Sequence, residues 1–174
     1  MPPVPIRPTE PRDIPAITRI YSHSVLHGTA SFEIAPPDEA EITRRFEALR
    51  AGGFPYLVAE DDGAVLGYAY AGPYRPRPAY RFTVEDSIYL APESQGRGLG
   101  RALLDRLLAE SEKRGYRQVI AVIGDSAQTP SIRLHEAAGF RNIGTLVAVG
   151  FKFGRWLDSV LMQKELGKGA STTP

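Results

Sequence analysis

One stretch constrains the fold more than any other: Val84-Glu85-Asp86-Ser87-Ile88-Tyr89-Leu90-Ala91-Pro92-Glu93-Ser94-Gln95-Gly96-Arg97-Gly98-Leu99-Gly100-Arg101. It predicts a strand, a glycine-rich turn and the first turn of a long amphipathic helix. Gly96, Gly98 and Gly100 let the backbone turn tightly and approach a ligand with no Cβ in the way. A helix opening near Gly98 aims unpaired N–H groups and its positive dipole end back at that turn. Arg97 and Arg101 add positive charge, and the whole describes a phosphate site. The alternative is a plain strand–turn–helix joint rich in glycine. A P-loop would need Gly-Lys-Ser/Thr, which is absent, and a dinucleotide fingerprint counted from Gly96 would need glycine where Arg101 stands.

Composition narrows what the remainder can be. The 174 residues suit one domain with a sizeable core, and 43% hydrophobic against 24% charged residues describe a globular chain. Lys+Arg total 21 and Asp+Glu 20, so no basic surplus points to a nucleic-acid partner. With no cysteine, a disulfide, a thiolate zinc site and a cysteine nucleophile are excluded. The opening Met1-Pro2-Pro3-Val4-Pro5 lacks the basic flank and apolar run of a signal peptide. No stretch reaches the length of a membrane span. The expectation is a cytoplasmic protein with neither a nucleic-acid nor a membrane partner.

Along the chain, Pro2 to Pro5 reads as a loose lead-in and Ile6-Arg7 as a short strand. Asp13 stands where a helix cap belongs, followed by Ile14, Ile17, Ile20, Tyr21 and Val25 at helical spacing and a stop at Gly28. His23 and His27 have metal-ligand spacing but no third ligand, and read as solvated histidines. A second helix opens after Asp38, carries Ile42, Phe46 and Leu49, and ends at Gly52-Gly53. A hairpin turning at Asp61-Asp62-Gly63 follows. The proline-rich segment Gly72 to Tyr80 must be an ordered loop, and Arg81 to Leu90 the strand feeding the glycine turn. The long helix buries Leu99, Leu103, Leu104, Leu107 and Leu108 and stops at Gly115. Gln118 to Ile123 reads as a buried strand, Ser131 to Ala138 as a short helix. Two last strands, about Gly144–Val149 and Asp158–Gln163, flank a loop holding Phe151 to Trp156. Residues 1–165 form the domain and 166–174 a tail expected to be disordered.

The element order is α/β with a mixed sheet. Gln95-x-x-Gly98-x-Gly100 directly after a strand also fits Gln/Arg-x-x-Gly-x-Gly/Ala, and here the chain resembles the GNAT superfamily of acetyl-CoA-dependent N-acyltransferases, over roughly residues 4 to 165. That resemblance implies a GNAT-type mixed, mostly antiparallel central sheet flanked by helices. More narrowly, Tyr70-Ala71-Gly72-Pro73-Tyr74, Thr83-Val84-Glu85, Tyr89, Ala121-Val122-Ile123-Gly124, Arg133-Leu134-His135-Glu136-Ala137 and Lys152-Phe153-Gly154-Arg155-Trp156-Leu157-Asp158 resemble the phosphinothricin and methionine sulfoximine acetyltransferases.

The resemblance implies acetyl-CoA as cofactor. The backbone of Ile88, Tyr89 and Leu90 would pair with the pantetheine arm as an added strand. The turn Gln95, Gly96, Arg97, Gly98, Leu99, Gly100 and Arg101 would hold the pyrophosphate, and Gln128 and Ser131 would stand beside the arm. Gln128 occupies a position where relatives usually carry asparagine, in a loop one residue longer than theirs. Glu85 and Asp86 are neighbours on one strand, so at most one of them faces the site. The resemblance assigns the base to Glu85, against a surface carboxylate in an ion pair. It places His135 where many members use a tyrosine near the departing thiolate, against a purely structural histidine.

Arg75 and Arg77 flank Pro76 in a stiff loop, and guanidinium forks suit carboxylate, phosphinate or sulfone oxygens. Arg75 is assigned the substrate carboxylate, with Arg77 and Tyr80 assisting. Phe32 either walls the pocket or packs in the core. The expected substrate is a small amino acid or analogue: phosphinothricin, methionine sulfoximine or methionine sulfone. The alternatives are another amine (a protein N-terminus, a polyamine, an aminoglycoside) or a non-catalytic acyl-CoA-binding module. Relatives are commonly homodimers, which makes a homodimer the expectation here.

Overall fold

The computed structural model describes residues 4–174, so Pro2 and Pro3 of the expected lead-in lie outside the described residues. The hairpin signal closes as anticipated: Asp62 takes a left-handed φ of 46°, and β2 (Tyr56–Asp61) pairs antiparallel with β3 (Ala64–Pro73). β1 (Ile6–Pro8) adds to the free edge of β2. β4 (Thr83–Leu90) runs antiparallel to β3, and β5 (Gln118–Gly124) runs parallel to β4. β6 (Arg141–Lys152) and β7 (Arg155–Glu165) complete a seven-stranded sheet in the order β1-β2-β3-β4-β5-β7-β6. Only the β4–β5 contact is parallel, so the sheet is mixed and mostly antiparallel.

Four helices cover the two faces. α1 (Ile14–His27) and α2 (Glu39–Ala51) bury Ile17, Val25, Ile42 and Phe46 against Val58 and Tyr68. α3 (Leu99–Lys113) packs Leu103, Leu104 and Leu107 on the opposite face against Ala69, Val84, Val119 and Met162. Each of these leucines is essentially inaccessible to water, a burial that stabilises by about 2 kcal/mol per side chain. α4 (Thr129–Ala137) lies on the α3 side, beside β5 and β6.

Strand parity then decides what faces what. On β4, Val84, Asp86, Ile88 and Leu90 point to the α3 layer, while Glu85, Ser87 and Tyr89 point to the α1–α2 layer.

Three local expectations differ from the structure. The segment 151–156 is not a loop between short strands. β6 and β7 form one long hairpin whose turn is Phe153-Gly154, with φ of 52° and 72°. Asp13 precedes α1 but its side chain makes no cap hydrogen bond to that helix. Its carboxylate takes two bonds of 2.8 Å from the Arg7 guanidinium and one from the Glu10 amide. Burial alone would raise the Asp13 pKa, but those bonds outweigh it and hold it low. The last short helix begins at Thr129, with Pro130 in its first turn. Beyond β7 the chain continues in turns, where Arg117 donates to the Gly169 and Thr173 carbonyls. No helix of the described residues is long and apolar enough to cross a membrane.

Candidate active site

The parallel ladder between β4 and β5 ends at Asp86 and Ala121. Beyond it β5 pairs only with β7, while β4 pairs only with β3 up to Leu90. Ile88, Tyr89 and Leu90 therefore present one backbone edge with no strand opposite. The parting strands open a cleft of about 610 Å³, bordered by these residues, the glycine turn, the start of α4 and the end of α1.

At one end of the cleft, Gly98 is the N-cap of α3 with φ 79°, and Gly96 has φ 72°. Both values lie in the left-handed region that favours glycine. No amide from Gly96 to Arg101 donates to a backbone carbonyl, and the first such bond in α3 is Ala102 to Gly98. These donors converge at a helix N-terminus, as a phosphate requires. Gln95, Gly96, Gly98, Gly100 and Arg101 border the cleft; Arg97 is exposed outside it and the Leu99 side chain is buried in the core. Arg101 is anchored by Asp105 and donates 2.7 Å to the Ala137 carbonyl, tying α3 to the end of α4.

At the other end the cleft is made of side chains. Ser131, Gln128 and His135 come from α4 and the residue before it. Gln128 donates 2.9 Å to Thr29, whose hydroxyl donates to Asp125. His135 is 4% exposed: its Nδ1 lies 2.7 Å from the Ser131 carbonyl and its Nε2 3.0 Å from Asp86 Oδ2. Burial alone would lower the His135 pKa, but the Asp86 bond and charge raise it above the usual histidine value.

Glu85 lies on the opposite face of β4 and does not border this cleft. It is half-buried, and burial raises its pKa, with the Asp86 charge adding and Arg75 opposing. Arg75 rests over the Tyr74 ring at 5.1 Å, and Tyr74 meets Tyr80 edge-on at 5.6 Å. The structure thus brings Arg75, Tyr80 and Glu85 into one region. Arg77 is exposed in the same loop, and neither arginine forms an ion pair among the described residues.

Phe32 is placed by close packing. A Cβ on Gly124 would sit 2.8 Å from its ring and one on Gly150 2.4 Å, so both glycines make room for it. The loop carrying it is pinned by Lys152, whose buried Nζ donates 2.9 Å to Gly28 O and 2.8 Å to Ser31 O. The His23 and His27 rings lie 4.6 Å apart, tilted by 44°, exposed on α1 at the border of the cleft. No group of three or more metal-binding side chains occurs among the described residues.

Asp86 and Lys152 were not singled out as site residues. Asp86 carries a legible signal, because it interrupts a row of apolar residues facing the α3 layer, and a carboxylate there must find a partner.

A sheet that parts between two parallel strands, over a helix N-terminus offering free amides, leaves an open strand edge beside an anion site. Comparison with known proteins gives the class. The pattern of the acetyltransferase (GNAT) family matches residues 17–140, and the chain belongs to this family. It is 55% identical to phosphinothricin N-acetyltransferase of Alcaligenes faecalis, over 97% of this chain and 86% of that protein. It is 42% identical to L-methionine sulfoximine/L-methionine sulfone acetyltransferase of Salmonella typhimurium, over 95% and 96%. Among solved structures, a GNAT superfamily phosphinothricin acetyltransferase from Sinorhizobium meliloti, in complex with acetyl-CoA, superposes with a TM-score of 0.96 at 50% identity, covering 98% of this chain and 92% of that one. The protein is an acetyl-CoA-dependent N-acetyltransferase.

Proposed function

We propose that the acceptor is the amino group of a small amino acid or analogue of the phosphinothricin, methionine sulfoximine or methionine sulfone type. The observation that carries this reading is the grouping of the half-buried Glu85 with Arg75, an arginine free of any ion pair among the described residues. A guanidinium there suits the acceptor's carboxylate, phosphinyl or sulfonyl oxygens, and a carboxylate with raised proton affinity suits the removal of an ammonium proton.

Bound acetyl-CoA supplies an acetyl thioester. The amides of Gly96 to Arg101 would hold its diphosphate, the open edge of Ile88 to Leu90 would align its arm, and Gln128 and Ser131 would border that arm. Glu85 takes the proton from the amine, directly or through water. Arg75 orients the acceptor, with Arg77 and Tyr80 beside it, and Phe32 closes the loop over β5 and β6. His135 stands on the cofactor side, where the sulfur departs. Acetyl passes directly to the amine, because no side chain here is an activated nucleophile.

An acetyl-CoA-dependent thiol-release assay across amino acids, polyamines and aminoglycosides tests this reading. Methionine sulfone, methionine sulfoximine and phosphinothricin should be the fastest acceptors, and a preference for polyamines would reject it. Cytoplasmic residence, resistance to the herbicide phosphinothricin and a homodimer belong to the same proposal. For the dimer, the apolar exposed side chains Val147, Val149, Phe151 and Trp156 on the β6–β7 hairpin offer a face for a second copy. Sedimentation should give twice the chain mass.

A further inference from the structure

His135 is held between two acceptors. The Ser131 carbonyl, 2.7 Å from Nδ1, can only accept, so Nδ1 carries a hydrogen. Asp86 Oδ2 lies 3.0 Å from Nε2, and a hydrogen has to lie on that line too, because a bare ring nitrogen facing a carboxylate sets lone pair against lone pair. The pair therefore holds one proton more than a neutral imidazole beside a carboxylate. As imidazolium–carboxylate or as imidazole–carboxylic acid it is neutral overall, the form that burial favours. The second carboxylate oxygen, Asp86 Oδ1, is buried with no partner among the described residues, so the His135 ring is the donor this carboxylate has. Both side chains border the cofactor cleft, at the place where β4 and β5 part.

We propose that Asp86 is a positioning residue that keeps His135 protonated in the free enzyme, so that the pair stores the proton taken up by the departing sulfur. This rests on the reading that His135 serves the sulfur. As the amine nitrogen bonds the acetyl carbon, the C–S bond breaks and its electron pair stays on sulfur. The Nε2 hydrogen of His135 leaves the Asp86 line for that sulfur, forming the CoA thiol and leaving for the moment a neutral Nδ1–H imidazole opposite the Asp86 carboxylate, the unfavourable lone-pair arrangement that draws the next proton in. The ammonium loses two protons on its way to the amide, one before the attack and one after it; Glu85 passes each in turn to solvent, and solvent returns one to the pair, so that one proton is released per turnover. A pair that yields its proton reluctantly matches a thiolate, whose conjugate acid is itself weak.

The charged groups facing the pair are few. Glu85 adjoins Asp86 on β4 but points to the other layer. Arg101 of α3 borders the cleft with its guanidinium bound to Asp105 and the Ala137 carbonyl. Arg133 and Glu136 of α4 are exposed. β5 contributes Ala121, Val122 and Ile123, and Phe140 meets the imidazole edge-on at 5.0 Å.

The test uses the chain's three histidines, two of them exposed controls. Imidazole nitrogen NMR of the ligand-free enzyme should show His135 as imidazolium at pH 7. In Asp86→Asn its midpoint should fall by at least about one pH unit. The alkaline limb of kcat should fall with it, while acetyl-CoA affinity stays within about twofold. A neutral His135 at pH 7 in the unaltered enzyme would overturn the proposal, whether or not the variant folds. So would an unmoved midpoint or an unmoved alkaline limb in Asp86→Asn. If His135→Gln turns over at the unaltered rate, the sulfur role of His135 fails and the inference with it. A slow His135→Gln beside an unchanged Asp86→Asn rejects the part played by Asp86 alone.

Discussion

The glycine end of the cleft and its β4–α4 end are built from different material. At the glycine end the functional groups are backbone amides of consecutive residues, Gly96 to Arg101, presented by one turn and one helix terminus. At the other end they are side chains from distant parts of the chain: Asp86 meets His135 across 49 positions and Lys152 meets the Gly28 carbonyl across 124. The difference teaches where function is written. A backbone site depends on local conformation, so substitutions alter it through φ and ψ. A side-chain site depends on tertiary packing and titration, so substitutions alter it through charge and pH.

The sharpest way to break this contrast is Glu85→Gln. It should lower kcat by about 10²- to 10⁴-fold, the range for loss of a general base, and leave the acetyl-CoA dissociation constant within about twofold. Steady-state rates and calorimetry check the two halves, and unchanged turnover at neutral pH rejects Glu85 as the base. The reciprocal substitution is Gly98→Val, at a position where a Cβ would meet nothing within 4 Å, so any effect comes through the φ of 79°. Strain of about 1–3 kcal/mol predicts acetyl-CoA binding weaker by about 5- to 150-fold with the acid limb of the rate profile unmoved. Normal affinity in a folded Gly98→Val protein would show that the turn does not need this geometry.

A smaller effect than that of Glu85→Gln should sharpen the acceptor side. Arg75→Ala removes a charged partner worth about 1.5–3 kcal/mol and should raise the KM for the amino acid by about 10- to 150-fold. An effect confined to the KM for acetyl-CoA would reject its assignment. The smallest effect is a shift with pH. As the proposed base, Glu85 would have to be unprotonated to act, so activity should fall as pH drops through its raised pKa. Arg75 opposes that rise. Arg75→Ala should therefore move the acid limb upward, slightly because solvent screens this exposed position, as read in kcat/KM profiles. A downward shift contradicts the sign.

The same contrast explains what could be read in advance. Local signals were legible: the helix opening at Gly98, the apolar stripe Ile14, Ile17, Ile20, Tyr21 and Val25 of α1, and the Asp62-Gly63 turn all occur where their spacing puts them. The β6–β7 turn was not, because Phe153 with a φ of 52° is a bulky residue in a conformation usually filled by glycine or asparagine. Asp13 stands at a cap position, yet its carboxylate serves Arg7 rather than the helix it precedes. The proximity of Glu85 to Arg75 could be anticipated from a stiff loop leading into β4. The Asp86–His135 contact could not, since nothing in either segment names the other.

The account depends most on the backbone grip, and amide-resolved NMR during titration with acetyl-CoA measures it directly. The amides of Gly96 to Arg101 and of Ile88 to Leu90 should show the largest shifts and saturate together at one affinity. Saturation with those amides unmoved, or with the largest shifts on the α1–α2 face around Glu85, would contradict it.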